Sequence, residues 1–348
     1  MRKIGSPKIP PIKLDYLRAL TDDTGIIQHT KFATPNRREG YTTDDNARAL
    51  IACTKYHHIH SDPKIARLAG IYLGFLYHMQ MTDGRFHNFL SYDRHFLDNV
   101  GSEDCMGRAL WACGYAMKSN LDREKKLVSK EVFDKGLPHV HNFRSPRAKA
   151  FAILGLSYYQ QAYLEDQNLT LNMIRLVDQL LNNYKNESSG DWHWFEPYLT
   201  YSNARLTQAL FEAYRNTKKE EYCQIAEESL GFLVENQMVN DEFVPIGNDG
   251  WFPRGGRKAL YDQQSIEASC MTEAALTALQ TTGDEEYRRT AYTIFEWYLG
   301  RNPQKVMVYN LETGGCYDGI TPSGVNLNQG AEATVAYLLA RLELELSE

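Results

Sequence analysis

Two stretches of the chain echo each other at long range, Asp45-Asn46-Ala47-Arg48-Ala49-Leu50 and Ser202-Asn203-Ala204-Arg205-Leu206, the second followed by Ala209 and Leu210. Weaker copies run from Asp104 to Leu110, Ser145 to Leu154, Ile266 to Leu276 and Gly330 to Leu339. Each opens on a small, polar or acidic residue and continues into an alanine-rich apolar stretch. Recurrence of this kind predicts an array of helical hairpins, and six units suggest a ring that closes on itself.

Between these stretches lie amphipathic segments at residues 63–79, 123–139, 169–184, 220–236 and 285–299, with a short one at 12–20. Ile65, Leu68, Ala69, Tyr72, Leu73 and Leu76 fall at helical spacing and mark one buried face opposite a charged one. The alanine-rich set is small or apolar nearly all round, as in Ala204, Leu206, Ala209, Leu210 and Ala213, which suits helices covered on both sides. Alternation of inner and outer helices makes every inner helix run the same way, so the inner N-termini share one rim. Ser145 with Pro146 fits the N-cap and first-turn preferences, and Ser202 and Ser265 precede their helices similarly. The expected fold class is all-α, an (α/α)6 toroid forming a single domain over residues 1–348. Residues 12–20 should pack beside the last inner helix to close the ring, and almost no sheet is expected.

The chain has 348 residues and a formal net charge of -6. A general nucleic-acid partner is excluded, because phosphate neutralisation needs a clustered Lys/Arg excess that is not present. Nothing favours an anionic membrane surface. The cysteines Cys53, Cys105, Cys113, Cys223, Cys270 and Cys316 form no CxxC and no Cys/His ligand spacing, which points to a reduced compartment. Residues 1–16 carry Lys3, Lys8 and Lys13 among three prolines with no apolar core, so neither a secretory signal nor a membrane span is expected there. A cytoplasmic protein is the expectation.

The layout resembles the toroids of the six-hairpin glycosidase type over nearly the whole chain. More narrowly, Gly40 to Arg48, Trp194-Phe195-Glu196 with Leu199 to Tyr201 and Asn203 to Arg205, Trp251 to Gly256, and Asn328 to Glu332 resemble a bacterial toroid family. That family is met alone or fused behind a retaining glycosyltransferase. The resemblance implies a carbohydrate-directed function and a glycosyltransferase as a partner.

The links from outer to inner helices are long, at residues 82–100, 187–201, 239–264 and 302–329, and long loops gathered on one face of a rigid scaffold usually carry function. Asp44, Asp45, Glu103, Asp104, Glu267 and Glu332 stand at or beside the inner starts, with Glu196 and Asp262 in the loops just before. Glycoside hydrolysis needs two carboxyl groups facing each other across a sugar. Asp45 and Asp104, on adjacent inner helices, are the favoured catalytic pair, with Glu196 and Asp262 in reserve. The placement is similar to toroids of the unsaturated-glucuronyl hydrolase type, whose catalytic acids occupy such starts. The adjacent Asp44-Asp45 resembles the double aspartate of the α-1,6-mannanase type, which implies mannose-containing substrates; the tryptophans that follow the pair there are absent here. Against this stands the plain reading that first-turn acids are stabilised by unpaired backbone N–H groups. Asp45 also lies within reach of Arg48.

Trp192, Trp194, Phe195, Tyr198, Trp251, Phe252 and Tyr261 cluster in two of the long loops. Their faces suit stacking on sugar rings, while His193, Arg254 and Gln263 suit bonding to hydroxyls; the same rings also suit a covering of loop core. Asp44, Glu103 and Glu332 complete the expected substrate contacts. Arg48, Arg108, Arg147 and Arg205 recur one turn into four inner helices, placed to pair with the rim acids or to bind an anionic group. His57-His58-His60 has no companions at metal-ligand spacing and no Gly-x-Ser-x-Gly elbow occurs, so neither metal nor other cofactor is expected. The reading is a glycoside hydrolase acting on oligosaccharides. Two others stand beside it: a non-catalytic carbohydrate-binding or scaffolding module serving a glycosyltransferase, and a histidine-dependent sugar isomerase or epimerase, for which the inner starts supply no histidine.

Overall fold

The computed structural model describes residues 9–348; Lys3 and Lys8 of the N-terminal reading lie outside them. The described residues hold twelve α-helices: α1 (Asp15–Leu20), α2 (Thr43–His60), α3 (Pro63–Met79), α4 (Glu103–Lys118), α5 (Arg123–Gly136), α6 (Pro146–Ala162), α7 (Gln167–Glu187), α8 (Ala204–Thr217), α9 (Glu220–Gln237), α10 (Ser265–Thr282), α11 (Glu285–Phe295) and α12 (Ala331–Leu346). The even-numbered helices are the alanine-rich ones. Each packs on the next, α2 on α4, α4 on α6, α6 on α8, α8 on α10 and α10 on α12, and α12 returns to α2. The ring is closed. Each inner helix packs on an outer neighbour, and α1 lies against α12, as expected of residues 12–20.

Burial explains the two compositions. Every residue of α10 from Ser265 to Leu279 is buried, whereas α7 buries the stripe Leu169, Met173, Leu176, Val177, Leu180, Leu181 and Tyr184. A stripe covers one side; an all-round small surface lets six helices crowd one axis. The tightest contact is α4 on α6, where a Cβ built on Gly114 would stand 2.2 Å from the Gly155 carbonyl oxygen. Three inner-to-outer links are tight, the inner helix ending at left-handed Ser61, Lys218 and Gly283 at φ 51°, 56° and 77°. Two outer helices are shorter than their hydrophobic pattern, α5 and α11 passing into 3-10 turns at Leu137–Asn142 and Glu296–Tyr298.

The caps follow the pattern in part. Thr42, Ser102 and Ser145 accept the N–H of Asp45, Cys105 and Ala148 at 3.1, 3.1 and 3.2 Å. Ser202 and Ser265 are not caps. Ser202 stands at φ 49°, outside the extended region that an N-cap needs, and Ser265 is already the first residue of α10. The start of α8 is served instead by Glu267, whose carboxylate accepts the Ser202 N–H and the Asn203 amide.

Short antiparallel pairs tie the rim loops together, in sheets of at most three strands among the described residues. β3 (Tyr41–Thr42) pairs with β4 (Phe89–Leu90), with β1 (Thr30–Lys31) and β2 (Thr34–Pro35) just before them. Further on, β5 (Tyr198–Leu199) pairs with β8 (Phe252–Pro253), and β6 (Met238–Val239) with β7 (Glu242–Phe243). β9 (Gln263–Gln264) pairs with β10 (Gly319–Thr321), which also pairs with β11 (Gly324–Asn326). No helix among the described residues is long and apolar enough to cross a membrane, and no group of His, Cys, Asp or Glu among them is arranged to hold a metal ion.

Candidate active site

The starts of the inner helices and the loops before them enclose three adjoining cavities at one end of the ring. The first, of about 330 Å³, is lined by the carboxyls of Asp44, Asp45, Asp262, Asp318 and Glu332 together with His29, Arg48 and the ring of Phe89. The second, of about 360 Å³, shares Asp44, Arg48 and Glu332 with the first and adds Asp104, Arg108, Tyr201 and Trp251. The third, of about 660 Å³, begins at Tyr201 and Trp251 and contains Arg147, Glu196 and Tyr198. Shared walls make them one path across the rim.

Arginines one turn into the inner helices organise the acids. Arg48 Nη2 lies 2.7 Å from Asp45 Oδ1 and 2.9 Å from Glu332 Oε2. Arg108 Nη1 crosses from α4 to Asp44 Oδ1 at 2.9 Å, and Asn88 donates to the other Asp44 oxygen at 3.1 Å. Arg147 holds Glu196 at 2.6 Å and also donates to the Tyr201 carbonyl, Thr200 and Asn203. Arg205 departs from the series: its partner is Glu273, at 2.6 Å inside the ring, where Lys55 joins from α2 at 3.1 Å.

These surroundings separate the carboxyls electrically. Burial works against ionisation of Asp44, but Arg108 and Arg48 outweigh it and hold its carboxyl below the usual range. Burial raises Asp45, against the pull of Arg48 and with a push from the Glu332 charge. Asp318 is raised by burial and, more weakly, by Glu332 and Asp45; the Gly330 N–H, donating to its Oδ1 at 2.7 Å, and His29 oppose this. Glu267, deep behind the path, is pushed by burial up to about 7, against the Ser202 N–H and Arg147.

The acids marked at the helix starts therefore share one end of the ring but not one pocket. Asp45, Asp44, Asp262 and Glu332 meet in the first cavity. Asp104 sits in the second, its oxygens taken by Ser145 Oγ at 2.7 Å and Tyr201 OH at 2.8 Å, and Glu196 sits in the third. Glu103 turns away, capping the N–H groups of Arg144 and Ser145 at 2.7 and 2.8 Å and lining a separate cavity. Of the expected sugar platforms, Trp251 lines the path, but Trp194 is 0% and Trp192 5% exposed. Trp194 packs against Phe195 and Phe232, and Trp192 donates to the Glu196 carbonyl at 2.9 Å, so both are loop core. His193 pairs with Glu228 of the outer helix α9 at 3.1 Å. Arg254 is a loop clamp, donating to the carbonyls of Glu187 and Ser189 at 2.9 and 3.0 Å. Gln263 lines the first cavity, yet its amide is spent on Trp297 and the Leu260 carbonyl, both at 2.9 Å. His29, Phe89 and Asp318, which also line the first cavity, were not among the residues expected there. The nearest signal for Asp318 was its flanking Gly319 inside a long rim loop.

No family model matches the sequence, and no curated protein does. Among solved structures, the chain is similar to cellobiose 2-epimerase from Bacillus thermoamylovorans, with TM-score 0.76 and 11% identity over 97% of this chain and 96% of that one. D-mannose isomerase gives TM-score 0.72 and 13% identity over 95% and 94%. An inactive variant of the α-1,6-mannanase from Salegentibacter sp., with two adjacent aspartates replaced and α-1,6-mannotetrose bound, gives 0.67 and 12% over 96% of each chain. The fold is the (α/α)6 toroid of the six-hairpin glycosidase type, shared with enzymes that rearrange sugars and with enzymes that cleave mannosides.

Proposed function

We propose that the chain is a glycoside hydrolase acting on oligosaccharides, with the first cavity as its catalytic centre. One observation carries the reading: the carboxyls lining that cavity are shifted in opposite directions by their surroundings, Asp318 and Asp45 upward by burial and Asp44, against burial, downward by Arg108 and Arg48. Two-carboxylate cleavage needs this division, a protonated acid for the leaving oxygen and an ionised partner as base or nucleophile. Asp318 is assigned the acid. Its Oδ1 takes the Gly330 N–H, while no bond among the described residues occupies its Oδ2. Asp44, kept ionised by Arg108, is assigned the partner, and Asp45 fixes Arg48, which also pairs with Glu332. This replaces Asp104 of the favoured pair, because Asp104 lies in the neighbouring cavity with both oxygens engaged.

Phe89, 41% exposed in the first cavity, and Trp251, between the second and third, offer two separated stacking faces, which supports a substrate longer than one sugar. The mannanase whose adjacent aspartates were replaced binds α-1,6-mannotetrose, and an adjacent pair heads α2 here, so α-1,6-linked mannosides come first among substrates to test.

His29 favours a second reading. It lies in the same cavity and acts on Asp318, in a fold shared with a sugar epimerase and a sugar isomerase. A histidine beside a sugar carbonyl suits proton abstraction rather than hydrolysis. Incubating purified protein with an oligosaccharide panel in D2O and following products by NMR separates the two. Hydrolysis yields a new reducing end with no deuterium on carbon; an epimer labelled at C2, or a ketose labelled at C1, overturns it in favour of the isomerase. Binding without any product would select the scaffolding module.

A further inference from the structure

Beneath the catalytic cavity all six inner helices contribute to the wall of a smaller one, with about 10 Å³ open to the centre of a water-sized sphere, which is room for one water or one monatomic ion. Arg48, Arg108 and Arg205 line it with Trp111 and Ser202, and no carboxylate does. The carboxylates are held by other guanidinium atoms. Arg48 uses Nη2 for Asp45 and Glu332, Arg108 uses Nη1 for Asp44, and Arg205 uses Nη2 for Glu273.

Five polar atoms are left over. Arg48 Nε and Nη1, Arg108 Nε, Trp111 Nε1 and Ser202 Oγ are buried without a hydrogen-bond partner among the described residues. Stacking keeps the cations where they are: Arg108 lies over Phe151 at 4.5 Å, Phe151 stacks on Trp111 at 5.8 Å, and Arg205 covers Trp111 at 4.6 Å. Four of the five atoms are N–H donors with no accepting capacity, and the fifth, a hydroxyl, can also donate. A water accepts through two lone pairs and leaves donors unmet; a monatomic anion can accept from one side of Arg48 together with Arg108 Nε, Trp111 Nε1 and Ser202 Oγ. Oxyanions and sugar hydroxyl groups on a ring are too large for the space.

We propose that this axial cavity is a halide site, with chloride as its occupant in solution. The ion gives Arg48 and Arg108, the two residues that hold Asp45, Glu332 and Asp44, a shared acceptor, and so fixes the acids from below without touching substrate. The site stands on its own geometry and does not depend on which reaction the acids perform.

Anomalous diffraction from crystals soaked in bromide tests it directly. The expected result is a bromide peak in contact with Arg48, Arg108 and Trp111; a water there, or bromide on the outer surface only, overturns the proposal. In solution, thermal unfolding in sodium chloride should exceed that in sodium gluconate of equal ionic strength by about 2 to 4 °C, saturating as a single site does. Trp111→Phe removes one donor and keeps the stack, and Ser202→Gly removes the hydroxyl at a left-handed φ that glycine adopts freely. Each should raise the half-saturating chloride concentration about tenfold, since each removes one bond to an ion. If Trp111→Phe does not fold, Ser202→Gly carries the test, and an unchanged chloride titration in it counts against the site.

Discussion

Arg108, one turn into α4, reaches Asp44 at the head of α2 across 2.9 Å, so the charge state of an acid on one inner helix is set by a cation borne on the next. The proposed catalytic centre is thus a property of neighbouring helices together. Variants on either side of such contacts should have effects of distinct kinds.

Asp44→Asn and Asp318→Asn should each lower turnover of the identified oligosaccharide at least about a hundredfold, since a positioned acid or base contributes roughly 10²- to 10⁴-fold. Asp104→Asn should cost markedly less, because its oxygens serve Ser145 and Tyr201. Initial rates for the three proteins, with circular dichroism as the folding control, decide the matter; a Asp104→Asn loss as large as the others would restore Asp104 to the catalytic pair.

Arg108→Gln should move the acidic limb of the pH–rate profile upward by about one unit or more, because an adjacent cation lowers a carboxyl pKa by roughly that amount. In the native protein Asp44 is held low, so its ionised form persists as pH falls, and the stability it contributes is lost progressively between the ordinary carboxyl value and that depressed one. Without Arg108 the ionised form is lost at higher pH. A limb that stays in place would show that Asp44 is not the ionised partner.

Glu267 gives the opposite sign. Its carboxyl is raised from 4.5 to about 7, so between those values the folded chain keeps a proton that the unfolded chain has released. Stability should fall as pH rises through this window, by about 3 kcal/mol at most. Glu267→Gln should flatten that slope and gain stability above pH 7. Urea midpoints at several pH values measure it, and an undiminished slope in the variant rules Glu267 out as its source.

The two tryptophans expected as sugar platforms should part company. Trp194→Ala empties a fully buried site and should cost about 3 to 5 kcal/mol of stability. Trp251 stands at φ 57° on the path, so Trp251→Gly relieves the backbone while removing the ring, and should lower kcat/KM on oligosaccharides about tenfold with little change in Tm. Equal unfolding temperatures for both variants would contradict the assignment.

The ring was legible in the sequence because its signal is local: small residues all round one helix set, a single stripe on the other, and a polar start before each inner helix. The stripe Ile65 to Leu76 places a helix over residues 63–79, and α3 has those bounds. Likewise the acids at the starts of α2, α4, α10 and α12 were visible, since a first-turn position needs no knowledge of neighbours. What escaped was set at long range. Asp318 enters the cavity only because β10 pairs with β9 and Gly330 donates to it, and His29 enters from the link before β1. Trp194 looked like a platform because an aromatic loop residue carries no local mark of being covered by Phe232 from α9.

The short strands on the rim also bear on how such a groove can change its substrate. Because β3 with β4, β5 with β8, and β9 with β10 each join the loop ahead of one inner helix to the loop ahead of the next, no loop in these sets is an independent unit of specificity. Transplanting one alone would strand its partner's backbone groups. Exchange of loops between toroids, by engineering or by descent, should therefore proceed in coupled sets: the loops before α2 and α4 together, and those before α8, α10 and α12 together, with the Gln329 and Ala331 N–H groups also tying the last to Phe32 and Gln28 ahead of α2.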